Sequence, residues 1–315
     1  MVPAPISYDR GVHLRGTPLW LDSARPRPLC IVTQAPLRPL AAHARVVVPL
    51  SLSDNPAVAG RAQSVLPAPN DRSMGVGGQQ LTFLGLDRRW SVAALISVRG
   101  ERFLFLPSGG AHSPEGWPSA SHVVAPAPPV RFRGGPIERA VSGLVNFAEN
   151  AFSANANPRV QVDDIDLAEA LAARLSAAGF SVQRLGWLAK LGPAAETLGE
   201  AVRAAQGGRR IRIAVDGRPK PSARVAVVES RRGPGAKEVP RMATFRVNWH
   251  GDYAALGCLA RSVKATKITI CGDSGGIPGE EWAKGLDLTV LGTQRQLVFR
   301  RGGRAGAGLG RQIES

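Results

Sequence analysis

The feature that most constrains the fold is a change in the spacing of apolar residues part-way along the chain. The first part carries short apolar runs separated by turn-forming segments such as Arg99-Gly100, which is typical of β-strands joined by hairpins. Strands are predicted at residues 12–14, 19–21, 29–33, 45–49, 80–84, 91–98 and 102–106. Residues 50–78 and 108–136 are rich in Pro, Gly, Ser and Ala and are predicted to be surface loops.

The later part alternates helices with strands, which predicts an α/β fold. Segment 166–178 spaces its leucines one helical turn apart. Asp166 and Glu169 resemble a capping pair at its start, and Gly179 is suited to end it. Helices are also predicted at 194–206 and 253–263, and strands at 211–215, 224–228, 244–249 and 267–271.

The charge of the chain favours an anionic partner. The net charge is +16 and the isoelectric point is about 11.2, so RNA or DNA is the first expectation and an acidic protein the second. An arginine-rich composition without such a role explains the same numbers. The basic Gly/Arg-rich tail 300–315 is predicted to be disordered. Its Arg300, Arg301 and Arg304 are candidate phosphate ligands, unless the tail is only a solvated terminus.

Cysteine usage and hydropathy predict a cytoplasmic protein with no membrane partner. Cys30, Cys258 and Cys271 are too few and too scattered for a disulfide framework or a zinc knuckle. The first residues show no signal-peptide pattern, and no apolar stretch approaches the roughly 18 residues that a membrane span needs.

Segments along most of the chain resemble a known family. GVHLRGTPLWLD (11–22) followed by RPRPLCIVTQA (25–35) is similar to the opening of metallo-β-lactamase-fold nucleases that carry a β-CASP insert. The bacterial RNA 3′-end processing factors and ligase-associated exonucleases are the most similar members. Similar stretches follow at 81–108, 245–253, 267–272 and 291–299 (LGTQRQLVF).

The resemblance implies a fold and a domain division. The expected fold is α/β, a metallo-β-lactamase-like four-layer αβ/βα sandwich with a small β-CASP-like α/β insert. Residues 1–160 and 240–299 would form the metallo-β-lactamase-like domain, 161–239 the insert and 300–315 the tail. Family members cleave phosphodiesters with two metal ions, usually zinc, which activate water and stabilise the displacement.

The positions that match the family's metal ligands carry other residues. The His-x-His-x-Asp-His motif aligns with Gln34, Pro36, Arg38 and Pro39, and an arginine there repels a metal cation. The later ligand positions align with Arg88, Ser108 and Cys271. We therefore expect no metal, no cofactor and no catalysis, that is, a pseudoenzyme of a metallo-hydrolase family.

Two further motifs are candidates for proton donation and for anion binding. In Trp249-His250-Gly251-Asp252-Tyr253, the resemblance makes His250 a residual candidate for a proton donor. The alternative is that His250 and Asp252 only hold the start of a helix. The Gly-rich turn 271–276 (CGDSGG) either cradles an anion or replaces the lost metal-binding turn.

The sequence thus predicts a catalytically inactive nucleic-acid-binding or scaffold subunit, beside an active paralogue or in a larger assembly of the RNA-processing kind. Arg38, Arg88 and Arg89 would hold phosphate where the family holds zinc. One alternative is a hydrolase with a rearranged site, built from Asp87, His250, Asp252 and Cys271. The other is a module that binds only protein.

Overall fold

The computed structural model describes residues 5–36, 40–53, 55–59, 61–86, 90–107, 116–127, 135–185, 189, 210–215, 222, 224–229, 242–247, 253–272, 280–291 and 296–298. Within these residues the chain is α/β, as predicted, with three β-sheets whose elements are numbered along the chain. The helices are α1 (Pro56–Ala59), α2 (Ile137–Ser153), α3 (Ile165–Ala177) and α4 (Tyr253–Ser262), and the 3₁₀ turns are Leu50–Leu52 and Glu280–Ala283.

Sheet 1 is formed by six strands in chain order. Strands β1 to β3 form an antiparallel meander, and β3 to β6 run parallel to one another. The predicted strands 12–14 and 19–21 form an antiparallel hairpin, since residue 12 pairs with 21 and residue 13 with 20. The strands are β1 (Ile6–Tyr8), β2 (Val12–Leu14), β3 (Trp20–Leu21), β4 (Leu29–Ile31), β5 (Arg45–Pro49) and β6 (Ser64–Ala68).

Sheet 2 has eight strands in the order β19-β18-β17-β11-β10-β9-β8-β7. Its antiparallel hairpins β7 to β10 lead into the parallel strands β10, β11, β17 and β18. The strands are β7 (Ser73–Val76), β8 (Gln79–Gly85), β9 (Val92–Val98), β10 (Glu101–Phe105), β11 (His122–Pro126), β17 (Lys267–Cys271), β18 (Asp287–Leu291) and β19 (Gln296–Val298).

Sheet 3 is fully parallel, in the order β13-β14-β12-β15-β16. Its strands span Arg159 to Arg246 and so extend beyond both ends of the predicted insert 161–239. They are β12 (Arg159–Val162), β13 (Ser181–Arg184), β14 (Arg210–Ala214), β15 (Val225–Glu229) and β16 (Ala243–Arg246).

Alternate residues of the central strands pack into different cores. On β11, Val124 joins Ile31 and Phe83 in the apolar cluster between sheets 1 and 2, which places these sheets face to face. Val123 points the other way and packs with Leu256 on α4. Burial of both faces explains why the parallel strands are apolar almost throughout. Because the other face of sheet 1 packs with α2, α3 and sheet 3, all three sheets belong to one packed body.

Helix α3 is bounded almost as predicted but is capped differently. Asp164 is the N-cap residue, and its carboxylate accepts a hydrogen bond from the Leu167 backbone N–H at 3.0 Å. The predicted capping role of Asp166 and Glu169 is therefore wrong. Asp166 instead bonds to residues 90 and 91, and Glu169 accepts two 3.0 Å hydrogen bonds from Arg184. Gly179, at φ +94°, follows the helix as predicted.

Several predicted loops contain regular structure. Segment 50–78 holds β6 and β7, and segment 108–136 holds β11. Gly77 and Gly78 form the tight turn between β7 and β8, where φ is +56° and +78°. The alternating strand signal is weak there because β6 and β7 lie at sheet edges and are largely exposed. The predicted helix 194–206 and the tail 300–315 lie outside the described residues. Among the described helices, none is long and apolar enough to cross a membrane.

Candidate functional site: a cavity at the carboxyl ends of the parallel strands

A cavity of about 410 Å³ lies where the parallel strands of sheets 1 and 2 end. Open crevices at the carboxyl ends of parallel strands are where α/β proteins commonly bind ligands, because several loops diverge there. The lining residues lie at or just after the ends of β3, β4, β10, β11 and β17 and around the β1–β2 turn. They are Tyr8, Arg10, Gly11, Val12, Leu21, Asp22, Ala24, Thr33, Gln34, Phe105, Leu106, Val124, Ala125, Pro126 and Cys271.

The two walls of the cavity differ in chemistry. Sheet 1 and its loops supply every charged side chain and most of the hydrogen-bonding ones, including Arg10, Asp22 and Gln34. Sheet 2 supplies an apolar wall with residues such as Phe105 and Leu106. A ligand would therefore be held by polar contacts on one side and shielded from water on the other.

Asp22 is the carboxylate inside the polar wall. Its backbone has φ +45°, a left-handed conformation that turns the chain at the end of β3. The carboxylate accepts hydrogen bonds from the Thr33 backbone N–H at 2.8 Å and the Thr33 hydroxyl at 2.5 Å. Burial raises the pKa of Asp22 to about 6, despite these hydrogen bonds. Asp22 therefore joins the loops after β3 and β4, and loses part of its charge in mildly acidic solution.

An arginine cluster is formed by Arg10, which lines the cavity, and by Arg25 and Arg27 of the β3–β4 loop, which meet the β1–β2 turn at Asp9. The Arg10 carbonyl accepts a 2.7 Å hydrogen bond from the N–H of Ala24, which places the two arginine-bearing loops side by side. Asp9 accepts 2.9 Å hydrogen bonds from Arg25 and from Arg27. Among the described residues, no carboxylate pairs with Arg10. The cluster thus keeps a positive excess at the cavity.

The cluster is held in place by stacking as well as by charge. The Arg27 guanidinium lies 3.3 Å from the ring centroid of Trp20, and Trp20 stacks on His13 at 4.4 Å. The hydrogen bond from Arg27, followed by the charges of Arg25 and Arg27, holds the pKa of Asp9 below its ordinary value. Asp9 therefore remains an anion that fixes both arginines across the pH range of most assays.

Cys271 ends β17 in the apolar wall and is buried. Burial raises the pKa of its thiol to about 12, so the reactive thiolate is essentially absent at neutral pH. The chemistry needed for a Cys271 nucleophile is thus disfavoured by its surroundings. The other members of the predicted rearranged site, Asp87, His250 and Asp252, lie outside the described residues.

Three of the positions matched to the family's metal ligands lie in the described part of the chain. Gln34 and Cys271, far apart in sequence, line the same cavity, whereas Pro36 does not line it. The other sequence-predicted site residues lie outside the described part of the chain. These are Arg38, Pro39, Arg88, Arg89, Ser108, His250, Arg300, Arg301 and Arg304.

The donor set of the cavity does not fit two zinc ions. The described side chains offer one carboxylate, an amide from Gln34 and a neutral thiol from Cys271. Within the described ranges there is no group of three or more His, Cys, Asp or Glu that could hold a metal ion. A dinuclear site needs several anionic and imidazole ligands around both cations, which these residues do not provide.

The three described histidines pack or form hydrogen bonds within the protein. His43 is fully buried, accepts a 3.1 Å hydrogen bond from the Arg27 N–H, and has its pKa lowered by burial. His122 lies between β10 and β17, with its Nε2 2.6 Å from the Thr269 hydroxyl. His13 stacks on Trp20. None of the three lines the cavity.

Sequence reasoning missed Arg10, Arg25, Arg27 and Asp22 as site residues. For Asp22 a usable signal was present, because it directly follows one predicted strand. Residues at the carboxyl ends of neighbouring parallel strands meet at one edge of a sheet. What the sequence did not indicate is that the β1–β2 turn brings Arg10 to the same edge.

Comparisons with known proteins add no relative. No protein-family model matches the chain, and no curated protein matches it. The family resemblance therefore rests on the sequence pattern alone.

Proposed function

We propose that this protein binds nucleic acid without cleaving it, on a metallo-β-lactamase-like four-layer sandwich with a β-CASP-like insert. The fold assignment is supported by the two face-to-face sheets and by the separate parallel sheet that follows β11 in the chain. It is supported further by Gln34 and Cys271, which a family alignment pairs as metal-ligand positions and which line one cavity. We propose that this cavity contacts phosphate instead of binding metal ions.

The observation that carries the binding function is the arginine cluster at the cavity. Arg25 and Arg27 share Asp9 as their ion-pair partner, and no described carboxylate pairs with Arg10. Asp22 adds at most one further negative charge. Guanidinium groups bind phosphate oxygens through fixed pairs of N–H donors. A chain with net charge +16 also attracts polyanions over a longer range.

The chemistry of the cavity supports binding rather than hydrolysis. Metal-assisted cleavage needs ligands that the described residues do not supply, and the Cys271 thiol is protonated at neutral pH. We therefore propose a scaffold or nucleic-acid-binding subunit that acts beside a catalytic partner. An acidic protein partner is the alternative outcome of the test below.

Salt-dependent binding tests the proposal. Fluorescence anisotropy with short labelled single-stranded RNA and DNA would be measured over a salt series, for the wild type and the triple variant R10A/R25A/R27A. Because each phosphate contact on a single strand contributes about −0.7 to the log–log salt slope, the triple variant should lose about 2 from that slope. Its affinity should also fall.

The matched control removes the same charge elsewhere. Arg15, Arg61 and Arg99 are exposed and do not line the cavity, so R15A/R61A/R99A should affect binding far less. Equal losses in the two triple variants would refute a site at the cavity. Wild-type protein that binds neither RNA nor DNA at low salt, but binds an acidic protein, would replace the proposed function with its alternative.

A further inference from the structure

Asp166 connects the sheet 3 unit to the wall of the cavity. It lies in the first turn of α3, yet its carboxylate reaches across to the segment that opens β9. One carboxylate oxygen accepts the Trp90 backbone N–H at 3.0 Å, and the other accepts the Ser91 hydroxyl at 2.8 Å. The partners lie about 75 residues away in the chain, so this contact depends on how the two parts pack.

The segment that Asp166 holds is itself bonded to the cavity wall. The Ala35 N–H donates to the Trp90 carbonyl at 2.7 Å, and the Val92 N–H donates to the Thr33 carbonyl at 2.8 Å. Between these bonds, Gln34 and Ser91 form an isolated antiparallel bridge. Residues 90–92 thus act as a short strand that supports the loop after β4.

The same loop holds the polar groups of the cavity. The Thr33 N–H and hydroxyl bind the Asp22 carboxylate, and the Gln34 side chain lines the cavity beside them. A continuous series of hydrogen bonds therefore runs from Asp166 through residues 90–92 and 33–35 to Asp22. Each bond fixes a backbone or side-chain group of the next segment.

The surroundings make Asp166 a strong anchor. Its carboxylate lies at the N-terminal end of α3, where the helix dipole stabilises negative charge. Ser91 is only 2% exposed and Trp90 is buried against α3. Removing the acceptor would leave a poorly solvated N–H and hydroxyl without that partner, which is costly in a buried position.

We propose that Asp166 is a positioning residue through which the sheet 3 unit fixes the cavity wall at residues 33–35, so that binding in the cavity depends on its docking. The inference rests on the proposed function only in taking nucleic acid as the ligand of the cavity. The positioning itself concerns the shape of the wall. Two different measurements therefore test the two parts.

Hydrogen exchange tests the positioning without any ligand. In Asp166→Ala, amide exchange measured by mass spectrometry should accelerate in peptides that cover 33–36 and 90–92. Asp164→Ala is the matched control, because it removes the N-cap hydrogen bond of the same helix, whose donor is the Leu167 N–H rather than residue 90 or 91. Asp164→Ala should leave exchange at 33–36 unchanged. Equal acceleration in both variants, or none in Asp166→Ala, would overturn the positioning role.

Anisotropy with the same labelled RNA tests the functional consequence, at a temperature where both variants are folded. Asp166→Ala should weaken binding about tenfold, because it removes the two hydrogen bonds that order the cavity wall. Asp164→Ala should stay within about twofold. Should Asp166→Ala fail to fold, Ser91→Ala removes one of the two donors and should give an intermediate loss. Wild-type affinity in Asp166→Ala despite faster exchange would refute the coupling.

A wild-type protein that does not bind nucleic acid at all would refute the proposed function instead. The exchange measurement would then still decide whether Asp166 holds the wall. Failure of the function and failure of the positioning are thus separate results.

Discussion

His122 should make the protein less stable in mildly acidic solution. Burial, with a smaller contribution from Lys267, lowers the pKa of His122 from 6.5 to about 4. The unfolded chain therefore takes up a proton near pH 6.5 while the folded protein resists it down to about pH 4. Stability from His122 is full above pH 6.5 and is lost as the pH falls to about 4. At about 1.4 kcal/mol for each pH unit, the loss is about 3 kcal/mol.

Asp22 should contribute a pH dependence of the opposite sign. Its pKa is raised from 3.8 to about 6, so the folded protein holds this proton more tightly than the unfolded chain does. Its contribution is full below pH 3.8 and is lost as the pH rises through about 6, again by about 3 kcal/mol. Between pH 4 and 6 the two groups therefore nearly cancel in the wild type.

Urea unfolding followed by tryptophan fluorescence, from pH 4 to 7, would separate the two contributions. Relative to wild type, H122Q should lose stability as the pH rises from 4 to 6, and D22N should gain it. Any constant cost of the substitution shifts the curve without changing its slope. In the double variant H122Q/D22N the two changes in slope should cancel. Curves for H122Q and D22N that run parallel to wild type would refute the reasoning.

Other predictions follow from single contacts. Glu169→Gln should cost about 3 kcal/mol in urea unfolding, because it leaves the largely buried Arg184 guanidinium without its carboxylate partner; a cost below about 1 kcal/mol would contradict this. Cys258 is the exposed thiol, so a thiol reagent should label one cysteine quickly in the native protein and none in C258S. Gly257→Ala should lower the melting temperature, because an added Cβ would lie 2.3 Å from the Trp282 carbonyl oxygen; an unchanged melting temperature would show that this approach is not tight.

The local sequence pattern was sufficient to predict a strand or helix where a single pattern covered the whole segment. Strands β5 and β17 were predicted to the residue, because each is a short, mostly apolar segment rich in β-branched residues. Helix α3 was predicted because its leucines mark one face. Helix α2 was missed, although Ala140, Leu144, Ala148 and Ala151 recur at helical spacing on its buried face.

Long-range packing decided what sequence reasoning missed in the site. Asp166 looked like a helix cap, since an acidic residue in the first turn of a helix commonly serves that purpose. Its partners, Trp90 and Ser91, become visible only when α3 is packed against sheet 1. In the same way, the arginine cluster depends on a turn that places Arg10 beside Ala24. No local pattern contains either contact.

The asymmetry of the cavity separates metal chemistry from phosphate binding. Two catalytic metal ions need ligands on both sides, since each cation must be surrounded while it holds the substrate and the attacking water. The wall from sheet 2 offers apolar groups such as Leu106, Ala125 and the protonated Cys271. A phosphate group at the mouth needs donors on one side only, and in the proposed function the arginine cluster would supply them. In the proposed pseudoenzyme, an apolar wall on sheet 2 would therefore exclude metal-assisted hydrolysis while leaving the proposed binding surface intact.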